Sequence, residues 1–260
     1  MLELARIQSD AVVDANWTTP GPQSLVLGLA RTNEELEAIQ RLRYNVFTEE
    51  MHAVFPNAVD GLDTDRYDPW CEHLMVRETG SGMVVGTYRL LPPEHVSKAG
   101  GYYSDTEFDL SGLSHLYPVM AEVGRSCTHP DYRSGAVIML LWSGIANLMK
   151  QYGFRYVLGC ASVSLRDDGV TAAEVWRVAS KELARQPELA RVVPRHRYPV
   201  ERLDSTLPAR IPPLIKGYLK LGASICGEPA WDPDFNTADF PVLLDIHAMD
   251  ARYRRHFGIG

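Results

Sequence analysis

Residues Met120–Ser162 read MAEVGRSCTHPDYRSGAVIMLLWSGIANLMKQYGFRYVLGCAS. The pattern predicts a strand, a turn around Pro130, a long apolar helix and a second strand. The turn brings residues 134–136 to the start of the helix, where unpaired backbone N–H groups and the positive end of the helix dipole attract anions. These donors, together with the carboxylate of Glu122 in the preceding strand, favour an acyl-transfer site.

The overall composition is that of an ordinary globular protein. The 260 residues are 45% hydrophobic and 23% charged, and this length predicts one domain with an appended section rather than two independent domains. The formal net charge of −7 argues against nucleic-acid binding by the chain as a whole. We therefore expect no nucleic-acid partner.

Cysteine usage and the start of the chain favour a cytoplasmic protein. No CxxC or metal-type pair occurs among the four cysteines, Cys71, Cys127, Cys160 and Cys226. This pattern suits a reducing compartment. The charged segment Met1–Asp10 does not resemble a signal peptide, and the apolar run Ala136–Met149 is shorter than the ~20 residues of a membrane span. The chain is expected to be cytoplasmic and at most peripheral to a membrane.

Hydrophobic periodicity predicts further strands and helices around the central unit. A capping box of Thr32 and Glu35 opens a helix predicted over Asn33–Met51. The strand-like runs His73–Glu78 and Val84–Leu91 predict a hairpin. Strands are also predicted at Ser24–Ala30 and Phe240–Ile246, and helices at Ala172–Leu183, Pro208–Ala223 and Met249–Phe257. This order is typical of a mixed α/β fold, with a mixed central sheet flanked by helices.

Charged residues in two places are candidates for function. Arg89 lies within the apolar run VVGTYRLL, where a charged residue is usually paired or functional. The loop Asp60–Trp70 contains four aspartates and is interpreted either as a solvated loop or as a site for a cationic group. It lacks the Gly and the Glu that a calcium loop has at its sixth and twelfth positions. No metal site is predicted.

The turn of the central unit, PDYRSG, resembles the P-x-Y-R-x-G turn of the GNAT superfamily, which holds the pyrophosphate of an acyl carrier on helix N-terminal amides. The resemblance implies that Arg133, Ser134, Gly135 and Ala136 bind the acyl donor. Because the turn has few of the usual glycines, it favours the phosphopantetheine arm of a carrier protein over a whole nucleotide coenzyme. No bound cofactor is expected, and the donor is the acyl-phosphopantetheine thioester of the carrier.

A wider set of residues resembles the acyl-homoserine-lactone synthases, which are GNAT-fold enzymes that use acyl carrier protein thioesters. The matching positions are Arg43, Phe47, Asp65, Asp68, Arg89, Glu122 and Arg125. Ala53 stands where the lactone synthases have a tryptophan, and the C-terminal section here is longer. Both differences count against lactone synthesis.

Longer segments across nearly the whole chain resemble the ornithine N-acyltransferases of ornithine-lipid synthesis. These segments are GTYRLL, GGYYSDTEFDLSGL, EVGRSCTHPDYR, VIMLLWSGIA, GCAS, PPLIKGYLKLGA and FNTADF. The resemblance implies transfer of a 3-hydroxyacyl chain from acyl carrier protein to the α-amine of ornithine, giving lyso-ornithine lipid. The resemblance begins near Leu25, and the residues before it show no clear period, so we expect an N-terminal arm at residues 1–24, a GNAT-like acyltransferase core at 25–170 and a C-terminal section at 171–260 packed on the core.

The attack of an amine on a thioester suggests roles for these residues. Glu122 is the candidate general base, acting directly or through water. Alternatively, Glu122 pairs with Arg125 or Arg89 and holds the strands together. A backbone N–H near Ser126 or Cys127 would stabilise the oxyanion, and no covalent acyl-enzyme is required.

The remaining residues of this set are candidates to bind the acceptor amino acid. Asp65 and Asp68 could bind its cationic end. Arg43 or Arg89 could bind its carboxylate in a bidentate fork. Phe47 belongs to the same substrate-binding set by the resemblance.

Two basic stretches, Arg185–Arg202 and Arg252–Arg255, offer a landing surface for an acidic carrier protein. Such a face could also contact anionic lipid headgroups at the inner face of the membrane. The segment Ser224–Pro233 is less like the ornithine enzymes than its neighbours are. Two alternatives therefore stay open: an N-acyl amino acid synthase with another acceptor, such as glycine or tyrosine, and a non-catalytic GNAT-like module that binds acyl carrier or lipid.

Overall fold

The computed structural model describes residues 24–55, 58–187, 191–202, 210–233 and 235–259. The strands are β1 (Leu25–Leu29), β2 (Glu72–Glu78), β3 (Val84–Leu91), β4 (Phe108–Asp109), β5 (Met120–Thr128), β6 (Tyr156–Ser164), β7 (Val193–Pro194), β8 (Ser224–Ile225), β9 (Ala230–Asp232) and β10 (Thr237–Asp245). The helices are α1 (Asn33–Val46), α2 (Val96–Ala99), α3 (Ala136–Tyr152), α4 (Val170–Arg185), α5 (Pro213–Leu221) and α6 (Ala251–His256). The N-terminal arm predicted at residues 1–24 lies outside the described residues except for Ser24.

One mixed sheet organises the molecule. Its strand order is β1-β2-β3-β5-β6-β10-β8, with β9 paired to β10, and a small second sheet joins β4 to β7. The neighbours in the large sheet are antiparallel except β5 and β6, which are parallel. The parallel register covers Met120–Glu122 against Tyr156–Leu158. Beyond this register β5 stays paired with β3 and β6 with β10, so the two strands separate and a cleft opens between them.

Helices cover both faces of the sheet because alternate side chains of the strands point to opposite faces. On β2, Leu74 and Val76 belong to the core cluster under α3, whereas Met75 between them belongs to the cluster under α1. A Cβ at Gly86 would overlap Val137, so this glycine lets α3 pack directly against β3. The two helices therefore fix the central strands from either side.

The predicted mixed α/β fold is confirmed, with differences at the ends of elements. The first helix is α-helical to Val46 and continues as a π-helical turn over Phe47–Met51. β10 begins at Thr237 rather than at Phe240 and lies between β6 and β8 in the large sheet. The division into an arm, a core and a C-terminal section stays a prediction. Among the helices of the described ranges, none has both the length and the apolar composition that crossing a bilayer requires.

Candidate active site

The cleft between β5 and β6 is lined by residues 122–126 of one strand and residues 160–162 of the other. Gly159 keeps the strands close just before they separate, because a Cβ there would lie 2.8 Å from the carbonyl oxygen of Val123. At Gly124 a Cβ would meet nothing within 4 Å, so β5 borders open space at this point. The interior of the sheet thus exposes backbone to a ligand.

A β-bulge interrupts β5 beside this open space. Successive pairings with β3 pass from Gly124 to Cys127, so Arg125 and Ser126 together oppose one residue of β3. Arg125 has a φ of 51°, in the left-handed region that non-glycine residues rarely adopt. A bulge leaves its extra residue outside the regular hydrogen-bond ladder. The backbone near Ser126 and Cys127, predicted to bind the oxyanion, is therefore at an irregular point of the strand.

Glu122 is buried in the cleft, where it accepts hydrogen bonds from a neighbouring turn. Its oxygens accept from the backbone N–H groups of Tyr103 (2.6 Å) and Ser104 (2.8 Å) and from Ser104 Oγ (2.5 Å). Burial raises the pKa of Glu122, although these hydrogen bonds and the charge of Arg89 oppose the shift. Arg89 and Arg125 form their ion pairs with aspartates rather than with Glu122.

A network of alternating arginines and aspartates lies beside Glu122. Arg43 is completely buried and donates to the side chain of Asp63 (2.9 Å), to the carbonyl of Asp63 and to both carboxylate oxygens of Asp68 (3.0 Å each). Arg89 lies 2.7 Å from both Asp65 and Asp68. These contacts tie α1, the acidic loop and β3 together.

Arg125 is the third arginine of this network. Its guanidinium lies 3.3 Å from Asp63 and 3.5 Å from Asp65, and it packs over the rings of Tyr103 and Phe235. The network contains equal numbers of arginines and aspartates, so its formal charges cancel.

The structure therefore brings five predicted residues into contact with one another: Arg43, Asp65, Asp68, Arg89 and Arg125. Asp63 is a sixth member that the sequence pattern did not single out, although the alternating aspartates of the loop were a signal for it. Burial alone would raise the pKa of Asp68, but Arg43 and Arg89 hold this pKa well below its usual range. A direct contact of these ions with substrate stays a prediction, because each already has a partner of opposite charge.

The other predicted residues lie in separate places. Phe47 lines the cleft from the end of α1. The side chain of Cys127 is buried in the core under α1, and burial raises the pKa of its thiol to about 12. Arg133, in the predicted donor-binding turn, pairs on the surface with Glu50.

The turn predicted to bind the donor, residues 133–136, leads into α3 without joining the walls described for the cleft. Gly135 has a φ of 95° and precedes the first residue of the helix. No side-chain cap binds the first N–H groups of α3 in the described residues. These N–H groups are the kind of donors that bind phosphate.

Three carboxylates that the sequence patterns did not single out form a second charged cluster at the cleft. Oxygens of Glu107, Asp232 and Asp239 lie within 4.8 Å of one another. Asp232 and Asp239 line the cleft together with Glu122. Burial, with the nearby charge of Asp239, raises the pKa of Glu107 to about 10, and burial raises the pKa of Asp239 to about 6.

An apolar cavity adjoins the cleft on the side of α3. Its walls include Trp142, Ile145 and Met149 of α3, with residues of α5 and β10 opposite. Tyr88, Val123, Cys160 and Tyr218 line both the cleft and the cavity. The two spaces therefore share a wall at the point where β5 and β6 separate.

A small polar group of side chains marks this junction. The hydroxyls of Tyr88 and Tyr218 hydrogen-bond to each other at 2.8 Å. The ring of Trp142 lies beside Tyr218, and its Nε1–H is buried with no hydrogen-bond partner in the described structure. The cavity is thus apolar along most of its walls, and the hydrogen-bonded tyrosines Tyr88 and Tyr218 stand in the wall that it shares with the cleft.

The sheet with a separated parallel pair, the buried carboxylate and the adjoining apolar cavity define a GNAT-like acyltransferase. Residues 42–143 match the family described as an acetyltransferase (GNAT) domain. The chain is 35% identical to the L-ornithine N(alpha)-acyltransferase of Brucella abortus (strain 2308), over 90% of this chain and 89% of that protein. It is also 35% identical to the protein of the same name from Rhodobacter capsulatus, over 91% of this chain and 95% of that protein. The chain belongs to the L-ornithine N(alpha)-acyltransferase family.

Solved structures share this fold at low sequence identity. FeeM, an N-acyl amino acid synthase from uncultured soil microbes, superposes with a TM-score of 0.53 at 11% identity, over 87% of this chain and 92% of FeeM. The AHL synthase LasI gives a TM-score of 0.50 at 12% identity, over 86% of this chain and 91% of LasI. The predicted GNAT-like fold and the acyltransferase class are thereby confirmed.

Proposed function

We propose that this enzyme transfers a 3-hydroxyacyl chain from the phosphopantetheine thioester of acyl carrier protein to the α-amine of L-ornithine. The product would be lyso-ornithine lipid. The observation that carries the proposal is the buried carboxylate of Glu122, which lies where a polar cleft meets an apolar cavity. The names of the relatives from Brucella and Rhodobacter support ornithine as the acceptor.

The reaction needs a neutral amine, because a protonated amine has no electron pair with which to attack the thioester carbonyl. With a reference pKa of about 7.7–8.0, an α-amine is mostly protonated at neutral pH. Glu122 takes the proton, directly or through a water, as the C–N bond forms. The raised pKa of Glu122 makes it a stronger base for this task than an ordinary glutamate.

The carbonyl oxygen becomes negative when the amine adds to it. A backbone N–H at the bulge, near Ser126 or Cys127, donates a hydrogen bond to this oxyanion. The C–S bond then breaks, the amide forms, and the thiol of the phosphopantetheine leaves with a proton. Since the amine attacks the thioester directly, neither Cys127 nor Cys160 has to form an acyl-enzyme.

The ion network orients the acceptor. Arg89 lines the cleft, whereas Arg43 is shut off behind it. We therefore assign Arg89 to the carboxylate of ornithine, with Asp65 and Asp68 fixing the direction of its guanidinium. Arg43 positions those aspartates from α1. Phe47 forms the apolar side of the acceptor position.

The acyl chain occupies the apolar cavity beside α3. A hydroxyl on the third carbon lies close to the thioester, so it falls near the hydroxyls of Tyr88 and Tyr218 and the unpartnered Nε1–H of Trp142. These groups can donate to or accept from that hydroxyl. An unsubstituted chain would leave the Trp142 N–H without a partner.

The donor approaches along the start of α3. The N–H groups at Ser134, Gly135 and Ala136, with Arg133 beside them, bind the phosphate of the phosphopantetheine arm. The exposed arginines near Arg195 and Arg255 provide a basic surface for the acidic carrier in the cytoplasm. The same surface allows peripheral contact with anionic lipid at the inner membrane face.

The proposal is tested by incubating the purified protein with 3-hydroxyacyl carrier protein and, separately, with ornithine, lysine, glycine and tyrosine. Mass spectrometry should find N-acylornithine as the main product. A main product with glycine or tyrosine would replace ornithine as the acceptor. Carrier binding without acylation of any amino acid would show a non-catalytic binding module and overturn the proposal.

A further inference from the structure

The carboxylate cluster is assembled from three distant parts of the chain. Glu107 follows the turn that contacts Glu122, Asp232 ends β9, and Asp239 lies on β10 opposite Ser162 of β6. Their oxygens approach within 4.8 Å of one another. Because burial and the charge of Asp239 raise the pKa of Glu107 to about 10, Glu107 keeps its proton at neutral pH while no cation is bound.

Glu107 shows that the cluster is incomplete as it stands. Both of its carboxyl oxygens are shut off from solvent, and no N–H group of the described residues donates to them. Asp239 accepts one from Thr237 Oγ1 at 2.8 Å. Neither Glu107 nor Asp239 forms an ion pair with an arginine or lysine in the described ranges. A buried carboxylate without a donor is costly, and a cation bearing N–H groups would remove that cost.

The cluster belongs to the same cleft as Glu122. Ser104 Oγ donates to Glu122 and lies 3.2 Å from the Sγ of Cys160. The Cys160 thiol, whose pKa is raised by burial, is next to Glu107. Ser104 and Cys160 therefore connect Glu122 in the cleft wall with Glu107, which adjoins the cleft residues Asp232 and Asp239.

We infer that Glu107, Asp232 and Asp239 bind the side-chain ammonium of the acceptor amino acid while Glu122 acts on its α-amine. The inference rests on the proposed function, since it explains how one site selects an acceptor with two amines. A primary ammonium has three N–H donors, one for each of the three carboxyl groups, and its positive charge favours their ionised form. The aspartates of the ion network are engaged by arginines, so they do not compete for this cation.

The test compares ornithine with norvaline, which has the same carbon chain but no side-chain amine. Steady-state kinetics are measured for the wild type, Glu107→Gln and Asp239→Asn. In the variants, we expect kcat/KM for ornithine to fall at least tenfold relative to that for norvaline, mainly through KM. Glu174→Gln, which changes an exposed carboxylate paired with Arg177 on α4, should leave this ratio unchanged.

A thermal unfolding curve separates binding from a structural role. Glu107→Gln replaces one neutral group by another and Asp239→Asn removes a buried charge, so each variant should be at least as stable as the wild type in the absence of substrate. Equal losses with both amino acids, together with a lower Tm, would show a structural role and overturn the inference.

Further results separate this inference from the proposed function and from the binding of a divalent cation. A wild type that acylates ornithine, with variants whose ornithine KM is unchanged, would overturn the inference and leave the proposed function intact. A wild type that acylates no ornithine would overturn the proposed function itself. Wild-type activity that is lost after treatment with EDTA and restored by Mg²⁺ or Ca²⁺ would instead assign the cluster to a divalent cation.

Discussion

Two charged clusters border the same cleft, and they differ in how their buried charges are balanced. The ion network pairs each arginine with aspartates, and its most buried members, Arg43 and Asp63, are almost free of solvent contact. The carboxylate cluster brings Glu107, Asp232 and Asp239 together, and within the described residues neither Glu107 nor Asp239 pairs with an arginine or lysine. The pKa of Asp68 in the first cluster is lowered, whereas that of Asp239 in the second is raised to about 6.

The difference teaches which cluster is complete and which awaits a ligand. A buried ion pair is self-sufficient when its hydrogen bonds are made, and removal of one partner leaves a costly unpaired charge. A buried group of like charges is destabilising until a counter-charge arrives. The ion network therefore shapes the cleft, and the carboxylate cluster binds what enters it.

The largest effect is expected when the complete cluster is broken. Arg43→Met should lower the free energy of unfolding by about 3–5 kcal/mol, because it leaves Asp63 and Asp68 buried without their main partner. Urea unfolding measures this loss. Arg133→Met, which breaks the exposed pair with Glu50, is the matched control and should cost no more than about 1 kcal/mol. Equal effects of the two changes would contradict the contrast between the clusters.

Glu122, the proposed base, forms no ion pair with an arginine or lysine in the described part of the chain, and the same holds for Glu107 and Asp239. Glu122→Gln should reduce kcat by at least about 10²-fold. The glutamine oxygen can still accept from Tyr103 and Ser104, so the Tm should change little. Single-turnover rates with acyl carrier protein measure the effect. Near-normal rates would mean that Glu122 anchors the Tyr103–Ser104 turn and has no role as a base.

The incomplete cluster should make stability depend on pH in a specific direction. Because the pKa of Asp239 is raised from 3.8 to about 6, the unfolded chain releases this proton at lower pH than the native protein does. The stability from this group is present below about pH 4 and is lost as the pH rises towards 6. We expect a loss of roughly 1–3 kcal/mol by this route.

The variant Asp239→Asn isolates the contribution of this carboxyl group to the free energy of unfolding. Urea unfolding at pH 4.5 and at pH 7 should show a smaller decrease for the variant than for the wild type. The same experiment with added ornithine should raise the wild-type stability at pH 7 more than that of the variant. If the stability of the wild type and of the variant changed equally between pH 4.5 and pH 7, the raised pKa of Asp239 would be contradicted.

The smallest effect is expected where the polar cleft and the apolar cavity share a wall of uncharged residues. Tyr218→Phe removes a hydroxyl that pairs with Tyr88 and faces the acyl cavity. The preference for a 3-hydroxyacyl over an unsubstituted acyl donor should fall about fivefold, since one hydrogen bond contributes about 1 kcal/mol. Competition between the two donors, followed by mass spectrometry, measures the ratio. An unchanged ratio would place the hydroxyl of the chain elsewhere.

Much of the fold could be predicted from the sequence, because periodicity and capping signals are local. The capping box of Thr32 and Glu35 begins α1 as predicted. The hairpin of β2 and β3 and the β5-turn-α3-β6 unit also occur at the predicted positions. The π-helical turn at Phe47–Met51 was not predictable from periodicity, since the sequence pattern continues through it unchanged.

The site was predictable where a single residue stood out from its surroundings. Arg89 in an apolar strand and the alternating aspartates of the acidic loop led to the ion network. Asp239 is likewise a charged residue in an apolar strand. It was not singled out because the strand was predicted to begin one residue later, at Phe240. Glu107 and Asp232 are ordinary loop and strand-end residues, and their proximity depends on tertiary packing of β4, β9 and β10.

The position of β10 has a consequence for synthesis of the protein. β6 pairs with β10 over the nine positions from Thr237 to Asp245, although α4, α5 and three short strands separate them in the sequence. A ribosome delivers β6 long before β10, so the nascent chain carries an open strand edge that can pair wrongly. Asp239 arrives with the same late strand, so acceptor recognition appears only when the sheet is closed.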